Sequence, residues 1–112
     1  MAYDASFGDR LREKLVSLET ITEKEMFGGL AFMYREKMLC CLIKRGLMCR
    51  VDPSLRDELL EQNGVSEMRM KQTVMKGFVL VDTDVLQANK ALKYWIDLCL
   101  AYNPKAKSSK KK

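Results

Sequence analysis

The sequence predicts a single α+β domain in which helices pack on one side of an antiparallel sheet. Two observations point to this class: short apolar runs joined by tight turns occupy the centre of the chain, and amphipathic helical segments stand on either side of them. The expected order is one helix, three or four strands, a second helix, two strands and a third helix. The chain has 112 residues, 47% of them apolar, which is enough for one hydrophobic core.

The helices are predicted from apolar periodicity and from their end signals. The first is expected over residues 6–18, where apolar residues return every three or four positions. The second begins at Asp52-Pro53, an N-cap followed by proline at the first helical position, and stops at Asn63-Gly64. The third is expected to begin after residues 82–84 and to end at Pro104.

The strands are apolar runs separated by turn residues, and we expect them over residues 23–27, 30–34, 37–43, 47–51, 67–72 and 77–81. A two-residue turn after residue 34 would set Phe32 opposite Leu39. A three-residue turn, with Gly46 in the left-handed position, would set Cys41 opposite Cys49.

Because strand side chains alternate between two faces, this register divides the central strands into two sets. The first is wholly apolar and is expected to form the core: Leu30, Phe32, Leu39, Cys41, Ile43, Leu47, Cys49 and Val51. The second also carries Ala31 and Arg50 but is mostly apolar, and soluble monomers rarely leave such a patch bare. We therefore predict a partner surface formed by Met33, Met38, Cys40, Leu42 and Met48. The alternative is that a helix or the N-terminal segment covers this face.

The net charge of +5 lies in the tail. Residues 1–104, the predicted domain, carry fifteen Lys and Arg (the 20 of the chain less five tail lysines) and all fifteen Asp and Glu. The excess sits on a tail, residues 105–112, that we expect to be disordered. Its cations are Lys105, Lys107, Lys110, Lys111 and Lys112. A neutral body argues against duplex binding through the folded surface, but the tail supports an alternative function in non-specific nucleic-acid association.

Catalysis and metal binding are not expected. The chain contains no histidine, which removes the commonest acid–base catalyst and metal ligand at neutral pH. No Cys-x-x-Cys spacing occurs, so a zinc site is not predicted. The predicted pairing of Cys41 with Cys49 leaves a redox or soft-metal enzyme as the weakest alternative, since buried cysteines usually pack as inert apolar groups. We predict no enzyme activity and no cofactor.

Two glycine-containing segments are candidate recognition loops. The first is Phe27-Gly28-Gly29, whose glycines also suit a sharp break between two strands. It lacks the following helix and the Lys-Ser/Thr pair of a phosphate-binding loop. The second is Met75-Lys76-Gly77, expected at a hairpin tip or a strand start. A plain turn with a solvated lysine is the alternative for this second segment.

The N-terminus lacks the basic start and apolar run of a signal peptide. The apolar stretches are also far shorter than the ~20 residues of a membrane span. With four cysteines, the chain is therefore expected in a reducing cytoplasm with free thiols.

The chain resembles the TfoX (Sxy) N-terminal domain family. The resemblance rests on three segments: Met26-Phe27-Gly28-Gly29-Leu30-Ala31-Phe32, Leu47-Met48-Cys49-Arg50-Val51 and Met75-Lys76-Gly77-Phe78-Val79. It implies a two-layer α/β sandwich like that of type III secretion chaperones, in a member that stands without the second domain of competence regulators. Many relatives carry Asn-Gly at the position of Arg35-Glu36, and Gly-Arg at the position of Gln72-Thr73.

Together these observations predict a non-enzymatic regulatory domain that acts by protein–protein contact, either with another protein or as a homodimer. The resemblance places competence regulation among its candidate pathways. Neither a membrane nor a small-molecule substrate is expected as a partner.

Overall fold

The computed structural model describes residues 4–18, 20–26, 28–70 and 72–106. Within these residues the α-helices and strands are α1 Ala5–Leu15, β1 Ile21–Met26, β2 Gly29–Tyr34, β3 Lys37–Ile43, β4 Gly46–Arg50, α2 Arg56–Leu59, β5 Val65–Met70, β6 Thr73–Val81 and α3 Asn89–Tyr102. Short 3-10 turns precede α2 at Pro53–Leu55, precede α3 at Thr83–Leu86 and follow α3 at Asn103–Lys105.

The strands form one antiparallel sheet in the order β1-β2-β3-β4-β6-β5. Strands β1 to β4 follow one another as a meander, and β6 then pairs with β4 on one side and with β5 on the other. The predicted α+β class is confirmed. The sheet is wider than the central hairpins alone because the last hairpin joins it through β6.

The helices cover one face of this sheet, and the main core lies between the two layers. Its largest member is Trp95 of α3, which is 1% exposed. The helices contribute Phe7, Leu11, Leu15, Leu59, Leu92, Trp95, Ile96 and Cys99. The strands contribute Leu30, Phe32, Leu39, Cys40, Leu42, Leu47, Cys49, Val79 and Val81, and Val51 and Leu86 complete the cluster.

Helix α1 begins at a capping aspartate. The Oδ1 atom of Asp4 accepts hydrogen bonds from the backbone N–H groups of Ser6, at 2.9 Å, and of Phe7, at 3.3 Å. This contact satisfies donors that have no partner within the helix. The helix ends at Leu15, three residues earlier than predicted.

The second helix is shorter than its pattern suggested. Asp52 caps the segment by accepting from the Ser54 N–H at 2.9 Å, but the first turn is 3-10 and only Arg56–Leu59 is α-helical. Gly64 then turns the chain into β5 with a φ of 82°. The predicted cap and stop are therefore in place around a single helical turn.

Side chains from distant segments fix both ends of α3. Before its first turn, the Arg10 guanidinium of α1 donates to the backbone oxygens of Leu86, at 3.1 Å, and Gln87, at 3.0 Å. After its last turn, Lys37 Nζ donates to the carbonyl of Asn103 at 3.1 Å. A cation at this end also complements the helix dipole.

The register of the central hairpins differs from the prediction in two places. The turn after β2 has two residues as expected, and Arg35 and Glu36 both adopt left-handed φ values of 55° and 68°. Beyond it, however, Leu39 is an extra residue, because Met33 pairs with Met38 whereas Phe32 pairs with Cys40. This is a β-bulge.

The second difference is the turn after β3. It contains two residues rather than three, so that Ile43 pairs with Gly46 and Cys40 with Cys49. The predicted pairing of Cys41 with Cys49 is therefore wrong. The bulge adds one residue to β3 and the turn after β3 is one residue shorter than predicted, so the two errors cancel at β4. The predicted inward face of β4 is therefore correct, whereas that of β3 is reversed beyond Leu39.

Candidate interaction surface

The face of the sheet opposite the helices carries a second apolar cluster, which we call the open face. Its buried members are Ala31, Met33, Met38, Cys41, Ile43, Met48, Met68 and Leu80. Met26, Met75 and Phe78 are partly buried and pack against this cluster, and we call these three residues the rim. Within the described part of the chain, no helix contributes a side chain to it. Six of the eight methionines lie in the cluster or on its rim.

Part of the predicted partner surface lies elsewhere. Met33, Met38 and Met48 do belong to the open face. Cys40 and Leu42 belong instead to the core beneath the helices, so their assignment was wrong. The bulge at Leu39 rotates the following residues by one position, and Cys41 and Ile43 take their places on the open face.

The open face is not a bare apolar patch. Its buried members are between 0 and 7% exposed, and Met48 and Met68 are at 0%. The expectation of a broad solvent-exposed surface at these residues is therefore wrong. Solvent and a partner reach chiefly the rim on this side, and Met75 is the only rim residue among the predicted recognition residues.

Strand β6 is irregular where it forms part of this rim. Glu67 of β5 pairs with Val79, but Arg69, two residues later, pairs with Val74. Met68 is thus the only β5 residue opposite residues 75–78 of β6. The segment Met75-Lys76-Gly77 lies within this wide bulge, not at the predicted hairpin tip or strand start. Bulges often re-aim side chains beside binding sites.

Gly77 has no steric role that the fold reveals. A Cβ atom placed on it would meet nothing within 4 Å, and its φ lies outside the left-handed region. Its carbonyl accepts a hydrogen bond from the Val51 N–H at 3.0 Å, which any residue could provide. The glycine therefore leaves open space on the surface of the bulge.

Arg50 stands beside the same bulge. It pairs with Phe78 across the β4–β6 ladder, and its Cζ atom lies 5.7 Å from the centre of the Phe78 ring. The side chain is half-buried, and no acceptor or carboxylate among the described residues hydrogen-bonds to it. Burial lowers the pKa of Arg50, and the nearby Tyr102 phenol partly offsets this effect. The guanidinium stays charged because its ordinary pKa is far above neutrality.

The strand carboxylates are confined to one face of the sheet. Lys24 pairs with Ala31 and Arg50 with Phe78, which places both cations on the open face. The strand carboxylates pair with helix-side residues: Glu23 with Phe32, Glu25 with Leu30 and Glu67 with Val79. Where the register assigns a face to described strand residues, the open face therefore carries cations and no acid.

The first candidate recognition loop is a tight turn. Phe27 lies outside the described residues. Gly28 adopts a φ of 71°, as expected for a strand-to-strand break. Gly29 has a different role, because a Cβ there would collide with the backbone oxygen of Leu42 on β3. Close packing of two strands therefore explains Gly29 without a ligand.

The four cysteines are free and buried. Burial raises the pKa of Cys41 to about 11. Burial also raises the pKa of Cys40, and a hydrogen bond with Cys99, together with burial, raises that of Cys49. Thiols of this kind are poor nucleophiles at neutral pH, because the thiolate is the reactive form.

Three shallow hollows surround the connection between α1 and β1. Each has a volume between about 260 and 290 Å³, and Leu18 lines all three. Val16, 80% exposed, lies beside one of them. No charge pattern or unpartnered polar group distinguishes these hollows as a ligand site.

The C-terminal boundary of the described body lies beyond residue 104. Lys105 forms part of the last 3-10 turn, and the Ala106 N–H donates to the carbonyl of Tyr102 at 3.1 Å. Ala106 is 6% exposed. The other tail lysines, Lys107, Lys110, Lys111 and Lys112, lie outside the described residues.

Among the described residues, no group of three or more Cys, Asp or Glu side chains could hold a metal ion. None of the helices in this part of the chain combines the length and the apolar character needed to cross a membrane.

Sequence reasoning missed three residues that shape this surface. Phe78 and Met68 were assigned to strands but not to the face, and Arg50 was placed on the face but not in the site. The available indication was the apolar alternation of Met68 and Met70, which is typical of a strand with one buried side. No sequence pattern indicated that the pairing between β5 and β6 is interrupted.

One family model matches most of the chain. The family model described as the TfoX N-terminal domain matches residues 13–102, which run from α1 to the last residue of α3. Searches among curated proteins and among solved structures gave no match. A family match over this much of the chain shows its membership: the chain belongs to the TfoX N-terminal domain family.

Proposed function

We propose that this chain is a non-enzymatic regulatory domain that acts by binding another protein. The observation that carries the proposal is the open face: a methionine-rich sheet surface with a partly exposed rim and no described helix on it. Methionine side chains adapt their shape and are common on surfaces that accept protein partners. The lack of histidine and the raised thiol pKa values support a role without catalysis.

A heterologous partner fits this surface better than a second copy of the chain. The cluster beneath the rim is already buried within one chain, so dimerisation is not needed to cover it. Self-pairing along the free edge of β1 is also unfavourable. A two-fold axis at residue 23, 24 or 25 would pair two antiparallel β1 strands so that Glu23, Lys24 or Glu25 lies opposite the same residue of the second copy. Like charges directly opposite each other destabilise a strand pair.

The proposal includes a cytoplasmic location, which the four free cysteines support. The competence pathway belongs to the same proposal and rests on family membership alone. The nucleic-acid alternative rests on the lysine tail, because residues 1–104 have no net charge.

The test is affinity capture from nuclease-treated native lysate with three tagged proteins: wild type, Met75→Glu on the rim, and Val16→Glu as a matched exposed control. We expect wild type and Val16→Glu to recover the same partner and Met75→Glu to lose it. Recovery that disappears on nuclease treatment would favour the nucleic-acid function. Equal recovery by all three proteins would remove the open face from the proposal, and light scattering of wild type would reveal a homodimer.

A further inference from the structure

The open face combines apolar contact area with a cation that has no ion-pair partner among the described residues. Arg50 stacks over Phe78 at 5.7 Å, and Met75 lies in the bulge that also contains Phe78. Such a half-buried guanidinium has lost part of its hydration without gaining a carboxylate. A ligand carboxylate beside Arg50 would replace the lost hydration with a charge-assisted hydrogen bond, which is strong where the guanidinium is partly shielded from water.

The charge distribution indicates the kind of partner that fits. Lys24 on the edge strand β1 and Arg50 at the end of β4 are both cationic, while the assigned strand carboxylates lie on the helix side. An acidic group approaching the open face therefore meets no assigned strand acid to repel it. The apolar side chains that stay partly exposed on this face are those of the rim, so the complementary ligand must carry apolar side chains as well.

The bulge in β6 supplies apolar contacts for such a ligand. Met75 and Phe78 lie in it, are partly buried and pack against the open face. The exposed Lys76 follows Met75 in the sequence. These features occur at the only position in the described β5–β6 pair where the ladder is interrupted.

We propose that the open face binds an acidic, apolar peptide segment of another protein, with a ligand carboxylate received by Arg50 beside Phe78 and the ligand's apolar side chains packed on Met75 and Phe78. This inference rests on the proposed function as a protein-binding domain and adds the chemistry of the partner. A peptide fits better than a nucleic acid because two separated cations on an apolar surface offer few phosphate contacts, which dominate nucleic-acid affinity.

The experiment begins with a phage-displayed library of random peptides selected against the full chain, followed by fluorescence anisotropy of the enriched peptides. We expect Asp or Glu next to Leu, Ile, Phe or Met in the enriched sequences. We expect Arg50→Gln to weaken binding at least ~10-fold, the loss typical of one charge-assisted contact. Arg45→Gln, in the exposed turn after β3, is the matched control and should bind within about twofold of wild type.

Met75→Glu provides a second, independent variant. Its carboxylate lies on the partly exposed rim, so the fold should be unchanged by circular dichroism, yet it should weaken the acidic peptides at least about fivefold by repelling them. If Arg50→Gln fails to fold, the Met75→Glu result decides the proposal alone. Arg50→Lys, which keeps the charge but not the planar fork, should lose less affinity than Arg50→Gln.

Three outcomes would overturn the inference. Enriched peptides without acidic residues, or peptides that bind Arg50→Gln and Met75→Glu as well as wild type, would place the contact elsewhere and leave the general protein-binding function standing. No enrichment above an unrelated control protein would count against that function too. Binding of a labelled single-stranded oligonucleotide that disappears in Arg50→Gln would reassign the site to phosphate.

Discussion

Cys40 lies directly opposite Cys49 in the β3–β4 pair, and both belong to the same buried cluster as Cys99 of α3. All three thiols are buried in the core beneath the helices, and none forms a disulfide. The adjacent Cys41 faces the other side of the sheet. The cysteines therefore act as small apolar core residues, three on one side of the sheet and one on the other.

The buried thiols predict a loss of stability in alkali. Folding raises the pKa values of Cys40, Cys41 and Cys49, and that of Cys41 reaches about 11. Above the ordinary thiol pKa of about 8.5 the unfolded chain loses these protons first, so the free energy of unfolding falls as the pH rises towards 11. The slope is about 1.4 kcal/mol per pH unit for each such thiol.

Urea unfolding at a series of pH values from about 8 to about 10 measures this slope. Cys41→Ala should show a shallower decline than wild type, because it removes one of the titrating groups. The same slope in both proteins would contradict the assignment of Cys41. Native maleimide labelling should be slow for all four cysteines, including Cys40, which the sequence had placed on the outer face.

The turn between β2 and β3 predicts an unusual stabilising change. Arg35 and Glu36 both occupy the left-handed region, which costs a residue with a Cβ atom about 1–2 kcal/mol. Replacing the pair with Asn-Gly, the preferred residues of this turn type, should raise the free energy of unfolding by about 1 kcal/mol or more. Urea unfolding provides the measurement.

The turn between β3 and β4 is the matched control. It also has two residues, but Lys44 and Arg45 do not have positive φ values. Placing Asn-Gly there should leave stability unchanged or lower it, because glycine adds freedom to the unfolded chain. A similar gain at both turns would mean that the φ values are not the cause.

Gly29 and Gly77, two glycines of the sheet, should respond differently to alanine. Gly29→Ala forces a methyl group against the Leu42 carbonyl of β3 and should cost about 1–3 kcal/mol. Gly77→Ala adds a methyl group to open space and should be close to neutral. Thermal or urea unfolding of the two variants makes the comparison, and equal effects would show that close strand packing does not explain Gly29.

Because the bulge at Leu39 directs Leu42 into the main core, truncation should cost more stability at Leu42 than at Met75 on the rim. Leu42 is 0% exposed in the main core, so Leu42→Ala should cost about 2–5 kcal/mol. Met75→Ala on the partly exposed rim should cost less than about 1 kcal/mol. A mild effect at Leu42 would support the original assignment of that residue to the outer face.

The tail was predicted to begin at residue 105, but the burial of Ala106 moves the point of truncation to residue 106. A chain ending at residue 106 keeps the buried Ala106 and should retain wild-type stability, while removing four of the five tail lysines. Any weak DNA affinity should disappear with them, because four phosphate contacts give a salt slope of at most about 4. Retained DNA binding with a steep salt slope would show that the folded body binds nucleic acid. The stability of the two chains is compared by thermal unfolding.

The sequence alone determined the class of the protein and most of its elements. Apolar periodicity and end residues located α1, α3 and strands β1 to β4, and Arg35-Glu36 was recognised as a two-residue turn. The inward positions of β2 and β4 were also correct. These features depend on local patterns and short-range turn geometry, which the chain carries in neighbouring residues.

Only the tertiary structure decided which side of the sheet each residue of β3 faces and where β6 lies. Residues 38–43 are apolar without exception, so no alternation of polar and apolar side chains fixes their register, and one extra residue at Leu39 exchanges the faces of Cys40 and Cys41. The position of β6 between β4 and β5, and the bulge at residues 75–78, arise from pairing between segments far apart in sequence. Such pairing depends on contacts that form only when the whole sheet assembles, and Arg50 and Phe78 meet only as its consequence.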